Sequence, residues 1–151
     1  MITYGSYQIN LHRGGVYDLP GKVNYIVEEG NSGIWHYRKW ADGFKECWGK
    51  QTASNVSFEK EVWTDTNTYG MTNSEKLFSN YPFTFSEVPC STWGLISSGT
   101  SGSGNQGMNV TLWNSTVEGK EKTNPGYWMA IRATPSTAKV NITACNYSCG
   151  Y

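Results

Sequence analysis

The sequence has little charge, no long apolar run and no helical stripe, and each lack excludes a class of protein. Of its 151 residues 16% are charged, and twelve basic side chains balance twelve acidic ones. No basic field exists to attract nucleic acid or an anionic membrane surface. No segment holds the roughly 20 consecutive apolar residues of a spanning helix, and the first residues lack a basic stretch followed by an apolar run. The chain therefore reads as soluble and unprocessed, without nucleic-acid or membrane partners. Apolar residues nowhere keep the three-and-four spacing of an amphipathic helix over a useful length. The four cysteines, Cys47, Cys90, Cys145 and Cys149, include no Cys-x-x-Cys pair and lie far in sequence from His12 and His36, so no metal site is expected. A Cys145 to Cys149 bridge stays open.

Catalytic signatures are also missing. Gly102-Ser103-Gly104-Asn105 is at most a fragment of a nucleophile elbow, set in a flexible loop rather than a strand-to-helix turn. No glycine-rich phosphate loop precedes a helix. Glu59, Glu61, Asp65 and Glu87 could in principle cleave a glycoside, but nothing in the sequence pairs any two of them at the separation required. No enzyme and no cofactor are expected. Asn-x-Ser/Thr triplets at Asn55, Asn109, Asn114, Asn141 and Asn146 are read as chance in a chain rich in those residues.

What the chain does have is aromatic side chains, 15% of the total with seven Trp and ten Tyr. They cluster around Asp42-Gly43, which is flanked by Trp35-His36-Tyr37-Arg38-Lys39-Trp40 and Phe44-Lys45-Glu46-Cys47-Trp48. Asp-Gly between such runs predicts a β-hairpin with a two-residue turn. That register pairs Ala41 with Phe44, Lys39 with Glu46 and Tyr37 with Trp48. Val23 to Val27 predicts a strand leading into the hairpin. Val56 to Trp63 predicts a half-buried strand with Val56, Phe58 and Val62 inward. Tyr81, Phe83 and Phe85 alternate behind Pro82, which places a strand at an edge or bulge. Beyond the Gly/Ser-rich loop 97–107 come three alternating runs, with Met108, Val110 and Leu112, then Tyr127, Met129 and Ile131, then Val140, Ile142 and Ala144 as their inward residues. Short strands at regular spacing predict an all-β, antiparallel β-sandwich.

The run Tyr25-Ile26-Val27-Glu28-Glu29-Gly30, with Gly33-Ile34-Trp35, Tyr37-Arg38-Lys39-Trp40, Gly43 and Glu46-Cys47-Trp48-Gly49, resembles a segment of tail and minor structural proteins of phages and prophages of Gram-positive bacteria. Tyr81 to Pro89 is a second, weaker match. His36 and Phe44-Lys45 depart from the family's usual small or polar choices. The resemblance implies a neck with a β-hairpin over residues 1–50 and a sandwich knob over 51–151. It implies a homotrimer at the tail tip of a virion, assembled in a bacterial cytoplasm where thiols stay reduced. It also implies attachment to a host cell-surface saccharide without cleaving it. The alternative is a purely structural fibre-end or trimerisation module.

If the inward residues are as given, Trp113, Trp128 and Arg132 project from the other face of their strands. Exposed Trp serves either a sugar platform or a subunit interface, and both stay open. Trp93 carries the same two readings. Asn105 and Gln106 in the flexible loop would supply adaptable hydrogen bonds. The ligand-binding candidates are therefore Trp93, Trp113, Trp128, Arg132, Asn105 and Gln106, expected together at the end away from the hairpin.

Overall fold

Asp42 and Gly43 do turn the chain, through a three-residue loop. In the computed structural model, which describes residues 2–4, 7–9, 24–72, 75–99 and 110–151, Trp40 N–H donates to Phe44 O (2.8 Å) and Gly43 N–H to Trp40 O (3.0 Å). Gly43 has a φ of 92°, and Asp42 Oδ1 accepts the Phe44 N–H at 2.9 Å. A left-handed glycine closing a three-residue loop is the next favoured hairpin after the two-residue turn. The extra residue slips the ladder by one, so that His36 faces Trp48, Tyr37 faces Cys47 and Arg38 faces Glu46. The expected pairs Tyr37 with Trp48 and Lys39 with Glu46 do not form. A slip of one exchanges the faces: Cys47 now points inward and is fully buried beside Trp35.

The strands are β1 (Ile2–Tyr4), β2 (Tyr7–Ile9), β3 (Ile26–Ser32), β4 (Trp35–Trp40), β5 (Lys45–Phe58), β6 (Lys60–Trp63), β7 (Thr68–Gly70), β8 (Lys76–Leu77), β9 (Cys90–Gly99), β10 (Thr111–Ser115), β11 (Tyr127–Arg132) and β12 (Ser136–Gly150). The described residues contain no α-helix and are nearly all β. One antiparallel sheet has the order β3-β4-β5-β12-β9, and the other runs β10-β11-β7-β6 with β8 also on β11. The class is all-β with a sandwich-like arrangement of two sheets. β5 continues from the hairpin to Phe58 and pairs with β12 from Lys45 opposite Gly150 to Phe58 opposite Ser136. A boundary at residue 50 thus falls inside a strand, and the hairpin belongs to the main sheet.

β5 stays in register with the core by a bulge. Asn55 adopts φ 57° and donates its N–H to Asn141 Oδ1 at 2.9 Å. The inserted residue lets Ala53 and Val56 both face inward, and Val56, Ser57 and Phe58 are all at most 1% exposed. At Glu59 the chain crosses to the second sheet. The inner faces meet where Trp128 Nε1 donates to Gln51 Oε1 (3.2 Å) and Arg132 lies over the Phe58 ring (5.8 Å). Val140, Ile142 and Ala144 are buried as expected. In β11 Trp128 and Ala130 face the other sheet and are fully buried, against the expectation for Trp128; Met129 is buried as expected, while Tyr127 and Ile131 on its side of the strand are only half-buried. No strand forms over 81–85. Tyr81, Phe83 and Phe85 instead plug the end of the core as a chain of edge-to-face rings 5.1 and 5.0 Å apart.

Two expected results follow from this frame. Burial pushes the Cys47 thiol up to about 12, so it should resist a thiol-labelling reagent at neutral pH until the protein unfolds, whereas exposed Cys90 should label at once. On the hairpin's surface, Glu28 accepts hydrogen bonds from Lys39 Nζ and Tyr37 OH, both 2.8 Å, and Glu29 meets His36 at 2.8 Å and Arg38 at 3.0 Å. These bonds lower both carboxyl pKa values below their ordinary 4.5. The stabilisation is present above that value and lost as pH falls through the lower folded-state values. Because these groups are exposed the effect is small. The difference in Tm between the native protein and a Glu28→Gln/Glu29→Gln variant should close in acid.

Candidate functional site

The edge strands β9 and β10, one from each sheet, leave an opening between them that two loops close into a pocket of about 150 Å³. Trp93 of β9 and Asn114 of β10 line it, with Val88, Pro89, Ser91, Thr116, Glu121 and Pro125. Tyr81 and Asn124 contribute from the loops beneath. The volume is below the roughly 300–1,000 Å³ of drug-sized sites, and suits one small polar ring or group.

The loops are held firmly. Asn124, 2% exposed, donates to Phe78 O (2.9 Å) and Asn80 Oδ1 (2.7 Å) while its Oδ1 accepts the Gly126 N–H (2.7 Å). Backbone bonds from Phe78, Tyr81 and Phe85 to Gly126, Thr123 and Lys122 fasten segment 78–85 to segment 122–126. Phe78 meets Trp93 edge-to-face at 5.3 Å and fixes the indole in place. The pocket is thus built before any ligand arrives.

Its polar groups continue into the core. Tyr81 OH is linked to Ser91 Oγ (3.2 Å) and Ser148 Oγ (3.0 Å), the two serines lie 2.6 Å apart, and Ser148 donates to Asn146 Oδ1 at 2.8 Å. Burial raises the Tyr81 phenol above its ordinary pKa, so it is a neutral donor or acceptor at physiological pH. Asn146, the cross-strand partner of Trp93, has a buried Nδ2 with no hydrogen-bond partner among the described residues. Among the described residues Glu121 is the one charged side chain on the lining, and its Oε1 accepts the Gly119 N–H at 3.2 Å. An aromatic wall with hydroxyls, amides and one carboxylate can recognise a neutral polyhydroxyl group by stacking and hydrogen bonding.

The residues singled out from the sequence do not assemble. Trp93 lines the pocket. Trp113 projects from the outer face of the second sheet, where it meets Trp63 at 5.9 Å. Trp128 lies in the core, against the expectation that it is exposed, because the other face of β11 is the one turned outward. Arg132 stands over Phe58 and donates from Nη2 to Thr134 Oγ1 at 3.1 Å, far along the strand from Trp128's end. Asn105 and Gln106, with the whole segment 100–109, lie outside the described residues. Trp93 shares its row across the sheet with Asn146, Gly49 and Trp35, so it sits level with the hairpin's base rather than away from it. Asn114, Glu121, Asn124 and Tyr81 escaped the sequence reading because loops bring them together.

A wider concavity of about 590 Å³ is lined by Glu59 and residues 135–138, with no aromatic side chain among the described residues. Among the described residues no group of three or more His, Cys, Asp or Glu side chains could hold a metal ion, and no helix is long and apolar enough to cross a membrane. The fold and pocket define an all-β protein with an aromatic-walled polar pocket at the edge between its sheets. No protein-family model, curated protein or solved structure matches the chain.

Proposed function

We propose that this protein is a receptor-binding module of a phage tail tip that attaches, as a homotrimer in a β-sandwich knob, to a saccharide of the host cell surface without cleaving it. The observation that carries the binding part of this reading is the pocket lined by Trp93, Asn114, Glu121 and the Tyr81–Ser91 hydroxyl pair. A Trp face stacks on the apolar face of a sugar ring while amides and hydroxyls fix its hydroxyl groups. The phage assignment rests on the hairpin motif. Single-ring sites bind weakly, and a trimer would strengthen attachment through multivalency.

The test is binding of the protein to whole Gram-positive cells and to a glycan array. Trp93→Ala and Glu121→Gln should each weaken binding at least tenfold, about 1.4 kcal/mol, with the oligomeric mass by light scattering unchanged. Equal binding by all variants would remove the pocket from the mechanism.

The structural alternative has its own observation. Trp63 and Leu77 on the outer face of the second sheet are 38% and 47% exposed, beside half-buried Trp113 and Ile131. Such a face suits a second copy of the chain. If Trp113→Ala shifts light-scattering mass to the monomer and no glycan binds the native protein, the module is structural.

A further inference from the structure

Three of the four cysteines share the outer face of the first sheet. Asn146 and Ser148 of β12 point inward and are buried, so Cys145, Tyr147 and Cys149 between and beside them project outward. Cys149 and Cys90 are direct partners across the β12–β9 ladder. Opposed residues in an antiparallel pair have Cα atoms about 4.5 or 5.5 Å apart, within the roughly 4.4–6.8 Å that a disulfide spans. Cys145 and Cys149 are four residues apart on one strand, about 13 Å, and no rotamer bridges that gap. Cys145 faces Gly94 and Lys50 across its two ladders. Cys47 is shut on the inner face.

All four side chains are thiols in the structure. We propose that Cys90 and Cys149 are a redox pair that closes to an intramolecular disulfide when the protein meets a disulfide oxidant such as oxidised glutathione. One cysteine thiolate attacks a sulfur of the oxidant, forming a mixed disulfide and releasing one reduced glutathione. The second cysteine then attacks the protein sulfur of that mixed disulfide and releases the other. Two cysteine thiols are oxidised, one glutathione disulfide is reduced, and the two thiol protons end on the departing glutathiones.

The bond would fasten the end of β12 to the start of the edge strand β9. Cys90 lies between Pro89 and Ser91, both lining the pocket, so the same bond would hold that part of the lining. The inference does not depend on what the pocket binds. Its closed loop spans most of the second half of the chain, so the stabilisation should be substantial, a rise in Tm of about 5–15 °C.

The experiment is to equilibrate the protein with oxidised glutathione and follow intact mass, peptide maps and Tm. The expected result is the loss of two hydrogen atoms, one linked peptide pair containing Cys90 and Cys149, and a higher Tm that returns to its starting value with dithiothreitol. Cys90→Ser and Cys149→Ser should each abolish both the link and the rise, while Cys145→Ser preserves them. A link that includes Cys145 or Cys47, one that forms only between chains, or full oxidant exposure without a link would overturn the proposal.

Discussion

Replacing Trp128 with alanine should bring the protein close to unfolding. Its ring is fully buried and its Nε1 donates to Gln51 Oε1 at 3.2 Å between the two sheets. Truncating a buried Trp costs about 3–5 kcal/mol in transfer and cavity terms. The Gln51 carbonyl also loses its donor, about 1 kcal/mol more if water cannot replace it. Against a total of about 5–15 kcal/mol for a typical domain, that is roughly a quarter or more. Urea denaturation should show the midpoint falling steeply with little change in slope. Trp113→Ala, on the outer face, should cost far less. A Trp128→Ala protein that keeps its denaturation midpoint yet fails to bind cells would return Trp128 to the surface, where the sequence had placed it.

That misplacement has a physical reason. Tyr127, Met129 and Ile131 alternate with Trp128, Ala130 and Arg132, and both sets are apolar enough to be buried. Alternation gives the two faces of such a strand without saying which one meets the other sheet. β12 was legible because Val140, Ile142 and Ala144 alternate with Lys139, Asn141 and Thr143, leaving only one face that could be core. At the hairpin, Asp42-Gly43 marked the turn but fits two- and three-residue loops alike, and the longer loop moved every pairing by one. Trp93 was legible as a candidate from its place just before the polar loop, and it lines the pocket. The rest of the pocket was not, because Tyr81, Glu121 and Asn124 reach it through hydrogen bonds between segments roughly forty residues apart, a separation that no local pattern records.

Those same bonds make the segment entering β11 the most sensitive point of the pocket. Gly126→Ala should both destabilise the protein and abolish whatever the pocket binds. Gly126 has φ 107°, and a Cβ there would lie 2.0 Å from the Ser115 carbonyl oxygen, 2.9 Å from its carbon and 3.0 Å from Thr116 Cα. All three are backbone atoms, so no side chain can swing aside. The left-handed conformation costs about 1–2 kcal/mol for a residue with a Cβ, and overpacking adds about 1–3, for an expected loss of about 2–5 kcal/mol. Relief requires β10 and β11 to part where Ser115 faces Tyr127, which would carry Thr116, Glu121 and Pro125 away from Trp93. It would also strain the Gly126 N–H bond to Asn124 and the Phe78 N–H bond to Gly126 O. Gly119, in the same loop, provides the control: its φ is 73°, but nothing lies within 4 Å of an added Cβ. Gly119→Ala should therefore lose only the conformational part, about 1–2 kcal/mol, and keep the pocket. Chemical denaturation of the two variants separates the terms, and equal losses would mean that the close approach of Gly126 to Ser115 is not what holds this loop.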